Sequence, residues 1–403
     1  MTKFKKPLVI TLVTLGVLFL AYLTALSLYQ SPEYARRLVL YGQSDINDYL
    51  IFPERAVENG DNVSRLEKGD GTIPRSIPWY DPIAQKERVE NLDELFELTD
   101  TNAFIVLRDD KILYEGYFNG AAPDSIHTSF SAAKSFVSAL IGAAIADGSI
   151  ASVDDAVIEY IPEIAGRGLD SMTIRDLLLM NSGIRYEYNR DLPFYRHPFG
   201  DDSLTYYSPD LRNLALRVEA DGTLTDKQFH YNNYHLLLEG LILERATGMT
   251  VSEYTQEKLW KPMGAEYPAS WSLDSEASGF EKMESGINAR ALDYARFGSI
   301  FLHDGFWNGV QILPAEWVQE ATAPLKPDPR DYGPAEEIGF YYKYHWNGLE
   351  NADGAYDYYA EGHFGQYVYV AARKDVVIVR LGDETDYPIY WPLVFQSLVN
   401  QME

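Results

Sequence analysis

Residues 127–150, HTSFSAAKSFVSALIGAAIADGSI, set a hydroxyl and an amine three positions apart at the head of an apolar segment. The pair is Ser131 and Lys134. From Phe136 onward the apolar residues Phe136, Val137, Leu140, Ile141, Ala144 and Ile145 recur at helical spacing, and Gly148 offers a stop. Ser131 then falls in the first turn, where free backbone N–H groups and the positive end of the helix dipole favour developing negative charge. Lys134 at i+3 shares its face, and an amine kept from water there is able to take the hydroxyl proton. A Ser-x-x-Lys pair also arises by chance in a chain of this length, so its weight rests on the residues around it.

The 403 residues are enough for a large core, and 46% hydrophobic with 14% aromatic residues describes a globular chain. Acidic residues outnumber basic ones 60 to 34, for a formal net charge of −26. That excess argues against nucleic acid as a partner, because phosphates would be repelled. With no cysteine, disulfides, thiolate nucleophiles and cysteine-ligated metals are excluded. His230 and His235 are five apart and miss the spacing of a zinc helix, so neither a metal nor another cofactor is expected.

Residues 1–6, MTKFKK, carry three lysines, and residues 7–29 contain no charge. At about 1.5 Å per residue that run spans the hydrocarbon of a bilayer. It exceeds the roughly 7 to 15 apolar residues of a cleavable signal peptide. Ala25 and Ser27 nevertheless supply small residues for a cut, so an uncleaved anchor is expected with a signal peptide as the alternative. Lys3, Lys5 and Lys6 precede the run, while Glu33 dilutes Arg36 and Arg37 after it, a bias that keeps the N-terminus in the cytoplasm and exports the rest. The expected organisation is a cytoplasmic tail over 1–6, a single-pass inner-membrane anchor over 7–29, an extended juxtamembrane lead-in over 30–89, and an exported domain over 90–403.

Within that domain, 103–107 and 111–118 read as a hairpin around Arg108-Asp109-Asp110. Helices are expected over 91–98, 172–180, 234–246 and 288–303, Tyr-rich strands from 338 onward, and a closing helix over 390–402. Residues 184–210 read as an aromatic loop. Asp154-Asp155 and Asp201-Asp202 read as solvated pairs. The order strands, helices, strands predicts an α+β fold in which one sheet draws on both ends of the chain and a helical subdomain is inserted between them.

Two further short signals stand at element starts. Tyr231-Asn232-Asn233 precedes the apolar helix at 234, and His363-Phe364-Gly365-Gln366 opens the strand YVYVAA. Glycine at 365 permits close approach of a substrate to the backbone. Ser-x-x-Lys, Tyr-x-Asn and His-x-Gly in this order resemble the serine β-lactamase and penicillin-binding-protein superfamily, in the class C and esterase-like branch that includes the 6-aminohexanoate-dimer hydrolases. The segments TIRDLLLMNSGI at 173–184, GINARALDYARFGSIFLHDGFWNGVQILPAEW at 286–317 and EGHFGQYVYVAARKDVVIVRLG at 361–382 share that texture.

The resemblance implies an antiparallel sheet flanked by helices. It implies an acylated Ser131, proton transfer shared by Lys134 and Tyr231, Asn233 orienting Lys134 or substrate, and an oxyanion hole made by backbone N–H groups of Ser131 and Gln366. The substrate is then a small ester or amide, with a β-lactamase or D-Ala-D-Ala carboxypeptidase as the alternative within the fold and a non-catalytic β-lactamase-like membrane protein as the alternative outside it. Tyr117-Phe118-Asn119 fits Tyr-x-Asn as well, but its hairpin position marks it as structural. His363 and Phe364 stand where β-lactam-recognising members carry Lys and Thr, which weakens the lactamase alternative.

Overall fold

Strand Thr101–Arg108 shows why the sheet lies between two layers: Phe104 and Val106 point to one face, Ala103, Ile105 and Leu107 to the other, and all five are buried. The computed structural model describes residues 5–222, 227–325, 338–351, 354–383 and 387–402; residues 1–4 of the lysine-bearing tail lie outside them. The eight-stranded sheet runs in the order Phe340–Lys343, Trp346–Glu350, Tyr356–Gly362, Gln366–Ala371, Val376–Gly382, Thr101–Arg108, Lys111–Tyr117 and Glu67–Lys68. Neighbours are antiparallel except the last pair, which is parallel. The early hairpin therefore docks on the late strands across the Val376–Gly382 edge, as the order of the chain predicted.

Helix Ala291–Leu302 crosses one face, where Gly298 brings it close: a Cβ there would stand 2.6 Å from Val377 Cγ1. On the other face Leu92–Leu98 and Trp391–Gln401 cover Phe104, Tyr369 and Ile378. The inserted helical subdomain packs around Asn233–Thr247, which lies against Ala133–Ala146. That second helix, expected to bury one face, is buried from Ala133 to Ala144 including Lys134, Ser135 and Ser138. It sits between the sheet and the helical subdomain, with Phe136 stacked on Phe297 at 3.6 Å.

Three regions depart from expectation. The lead-in is not extended: Pro32–Tyr41 is a helix, Glu54–Val57 pairs with Ala269–Ser272, and Ser76–Asp81 pairs with Lys86–Asn91. Its strand Glu54–Val57 finds a partner far along the chain, which local composition does not reveal, whereas Ser76–Asp81 and Lys86–Asn91 form a local hairpin. Residues 184–210 hold regular structure, the 3₁₀ segments Asn189–Asp191 and Phe194–Phe199 and the helix Asp201–Tyr207. The pair Asp201-Asp202 organises it and is half-buried, accepting from the phenols of Tyr234 (2.6 Å) and Tyr186 (2.7 Å). The expected helix over 172–180 shortens to Ile174–Leu178, started by a Thr173–Asp176 capping box.

Candidate active site

Ser131 stands in the 3₁₀ turn Phe130–Ala132, just ahead of the helix rather than in its first α turn. Phe130 takes φ 45°, a left-handed value that is costly for a ring-bearing residue. The surroundings hold it there. Its ring meets Phe364 edge-on at 5.1 Å and His363 at 6.0 Å. Strand Tyr356–Gly362 presses on the same turn through Gly362, where a Cβ would stand 2.1 Å from the Ser129 carbonyl oxygen.

The Lys134 side chain, 2% exposed, donates to Ser131 Oγ at 3.0 Å and to the Glu284 carbonyl at 3.0 Å. The Tyr231 ring centroid lies 4.9 Å from the same Nζ. An amine aimed at a hydroxyl by a second acceptor and covered by a phenol has the geometry for proton transfer. The Glu284 carbonyl is itself held, because its carboxylate pairs with Lys282 at 2.9 Å with both side chains buried. Lys282 also donates to the Tyr206 carbonyl at 2.7 Å and lies over the rings of Phe52 and Tyr206. These extra contacts compensate the desolvated pair. The Ser129 and Thr128 hydroxyls donate to the Ser285 carbonyl at 3.2 and 3.4 Å, so residues 282–288 underlie the nucleophile turn. Neither Lys282 nor Glu284 is legible as a site residue in sequence, since alternating charge also fits a solvated loop.

Beside Ser131 opens a cleft of about 490 Å³, lined by Tyr231, Phe229, Tyr342, Glu361, His363 and Phe364, with Gly365 at its edge. Burial pushes the His363 imidazole below its usual range, so it is neutral near pH 7. The Glu361 carboxylate accepts from the Tyr367 hydroxyl at 3.0 Å. Phe364 and Gly365 both take positive φ, 61° and 77°, in the turn between the strands; glycine accepts this freely and Phe364 does not. The Gln366 side chain turns away into the sheet, donating to the Gly382 carbonyl at 2.6 Å and the His363 carbonyl at 3.1 Å, so its amide is taken up within the fold. Tyr342 is set from behind by a buried chain that no motif announces. His345 Nε2 faces the Glu239 carboxylate at 2.9 Å, and its Nδ1 lies 2.9 Å from the Tyr342 hydroxyl, so the three side chains form one hydrogen-bonded chain.

Asn233 is not brought to Lys134. Its Nδ2 donates to the Tyr186 hydroxyl at 3.1 Å and the Thr205 hydroxyl at 3.3 Å. The reason is local: Asn232 caps the helix by accepting from the Tyr234 N–H at 2.8 Å, and the turn into the helix swings residue 233 toward the helical subdomain. Among the described residues no three His, Asp or Glu side chains gather as a metal site.

A Ser-Lys pair at the head of a helix, its lysine buried and its serine open to a cleft, faced by a tyrosine and set against an antiparallel sheet, defines a serine hydrolase of the β-lactamase-like class. The Beta-lactamase family model matches residues 99–386, and the chain belongs to that family. The 6-aminohexanoate-dimer hydrolase of Paenarthrobacter ureafaciens is 28% identical over 319 residues, covering 74% of this chain and 76% of that protein. A Bacillus anthracis structure provisionally assigned as a 6-aminohexanoate-dimer hydrolase has a TM-score of 0.68 at 21% identity, over 87% of this chain and 90% of its own. A class C beta-lactamase has a TM-score of 0.57 at 14% identity, over 77% and 94% respectively. At these identities the two structures share the fold.

Proposed function

We propose that this chain is a membrane-anchored, exported hydrolase that cleaves a small ester or amide through an acyl-enzyme on Ser131. The observation that carries the reading is the 3.0 Å contact from Lys134 Nζ to Ser131 Oγ beside the cleft. Ser131 Oγ attacks the substrate carbonyl while its proton passes to the Lys134–Tyr231 pair. The C–O or C–N bond then breaks as the leaving group takes that proton. Water attacks the acyl-enzyme, releases the acid and restores the Ser131 hydroxyl. Backbone N–H groups of Ser131 and Gln366 receive the oxyanion, each such donor contributing about 3 to 4 kcal/mol in hydrolases of this kind.

The cleft favours substrates with neutral or cationic flanks. A β-lactam or a D-Ala-D-Ala peptide presents a carboxylate beside the reacting carbonyl, and it would meet neutral His363, apolar Phe364 and the Glu361 carboxylate. Losing a charge-assisted contact there costs roughly 2 to 3 kcal/mol, about a hundredfold in turnover efficiency. A relative named for hydrolysing a 6-aminohexanoate dimer supports amides as well as esters. The test is the ratio of kcat/KM for a p-nitrophenyl ester to that for a chromogenic cephalosporin, in wild type and in a His363→Lys, Phe364→Thr double variant. Wild type should prefer the ester and the double variant should move toward the cephalosporin. A wild-type preference for the cephalosporin sinks the reading.

Retention of the N-terminal helix Lys5–Tyr29 is supported by its own packing. Leu26 is 1% exposed, and Tyr22 and Leu23 pack on the domain core, contacts that a chain cut after 25 to 30 residues would lose.

A further inference from the structure

Two of the most exposed aromatic side chains, Phe194 at 82% and Tyr195 at 68%, stand side by side in the 3₁₀ segment Phe194–Phe199. Their segment lies against the apolar N-terminal helix through its backbone and Phe199. The Tyr22 hydroxyl donates to the Tyr195 carbonyl at 2.9 Å. Tyr22 and Tyr29 meet the Phe199 ring edge-on at 6.0 and 5.3 Å. Just past the helix, the Tyr34 hydroxyl donates to the Pro198 carbonyl at 2.7 Å.

These contacts fix a depth. The helix Lys5–Tyr29 has 25 residues, and its part up to Tyr22 alone is about 27 Å long, close to the hydrocarbon thickness of a bilayer. Leu12, Leu15, Phe19 and Leu20 leave its surface exposed, as a lipid-facing helix requires. Tyr22 precedes Tyr29 by two turns, about 10 Å along the axis. The hydrogen bond from Tyr22 therefore holds Tyr195 beside the last two turns of the helix, where Tyr22, Leu23 and Leu26 pack on the domain and the helix emerges at headgroup level.

We infer that the segment Phe194–Phe199 is a membrane-seating loop: Phe194 and Tyr195 enter the bilayer interface beside the anchor and hold the hydrolase domain on the lipid surface in one orientation. The inference rests on the anchor reading above. Its chemistry suits that boundary. Aromatic rings concentrate at headgroup level, and half-exposed Arg196 beside them, whose guanidinium makes only a long 3.9 Å contact with the Glu187 carboxylate, can turn to a lipid phosphate. The backbone is satisfied within the turn, with Arg196 N–H to the Pro193 carbonyl at 2.7 Å, Gly200 N–H to the His197 carbonyl at 3.0 Å, and His197 Nε2 to the Leu192 carbonyl at 3.0 Å. The same stretch reaches the cleft, because the Tyr188 hydroxyl donates to the Tyr231 carbonyl at 2.6 Å. Lipid contact and support of Tyr231 thus share one short segment.

The absence of cysteine makes the test direct. Phe194→Cys and Tyr195→Cys each carry a single nitroxide label, with Ile83→Cys as an exposed reference on a hairpin that packs on the opposite face of the sheet. Full-length protein is reconstituted in phosphatidylcholine–phosphatidylglycerol vesicles, recovered by flotation, and probed for label collision with oxygen and with a water-soluble nickel chelate. The oxygen-to-chelate ratio at 194 and 195 should exceed that at 83 several-fold. Equal, water-like ratios at all three positions in protein that floats overturn the loop insertion and leave the anchor standing. Protein that does not float refutes the anchor, and the loop with it.

Discussion

At the scale of single residues, function rests on how few groups surround Ser131 Oγ. If Lys134 and Tyr231 act on one proton, as proposed, their substitutions should not multiply. Lys134→Ala combined with Tyr231→Phe is expected to be little worse than the poorer single variant, and multiplicative losses in a double-mutant cycle of kcat/KM would separate their roles. Glu361→Gln removes the carboxylate from the cleft without touching the nucleophile. It should raise efficiency on an anionic ester relative to its neutral isostere by several-fold, and an unchanged ratio would show that Glu361 does not face bound substrate. The meeting of Ser131, Lys134 and Tyr231 was legible in sequence because each belongs to a short motif at the start of an element. For Asn233, expected to orient Lys134 or substrate, the structure turns the amide to Tyr186 and Thr205, because a Tyr-x-Asn motif does not say which of two adjacent asparagines will cap the helix. Glu284 escaped notice because it acts through its backbone carbonyl, which carries no residue signature.

At the scale of elements, the nucleophile turn is held from two sides, and each can be tested. Gly362→Ala would drive a Cβ into the Ser129 carbonyl. Overpacking of this kind costs about 1 to 3 kcal/mol, and it should lower turnover as well as denaturation midpoint; a variant with wild-type values of both would show that the strand does not brace the turn. On the other side, the two-residue strand His127–Thr128 pairs with Ile287–Ala289. Burial pushes the His127 imidazole down to about 4. An unfolded-state histidine near 6.5 binds its proton first, so stability is complete above about pH 6.5 and is lost as pH falls toward about 4. Between about pH 7 and about pH 4.5 the loss from this group is about 2 kcal/mol. His127→Phe should shrink the wild-type difference in unfolding free energy between those two conditions by that amount, and an equal difference in both proteins would refute the assignment. The long elements were legible from periodicity. The shorter ones in residues 30–89 and 184–210 were not, since they are fixed by distant partners such as Ala269–Ser272 and Tyr234.

At the scale of the whole molecule, the sheet drawn from both ends of the chain was readable from element order, and the position of the nucleophile helix between sheet and helical subdomain follows from it. The contact between the N-terminal helix and the domain was not readable, because residues 7–29 show only that they are apolar. If the helix is retained, the full chain should stay with membranes through a carbonate wash at its complete length. Release of a product shortened by about 25 to 30 residues, the mark of a cleaved signal peptide, would contradict it.

The central claim is covalent, and it is tested most directly by trapping. Folded full-length protein is treated with a fluorophosphonate, digested and mapped by mass spectrometry, with Ser131→Ala treated in parallel. The account predicts one adduct on Ser131, loss of ester turnover in proportion to labelling, and no adduct in the folded variant. An adduct on Ser129 or Ser135 instead, or full turnover by folded Ser131→Ala, would contradict it.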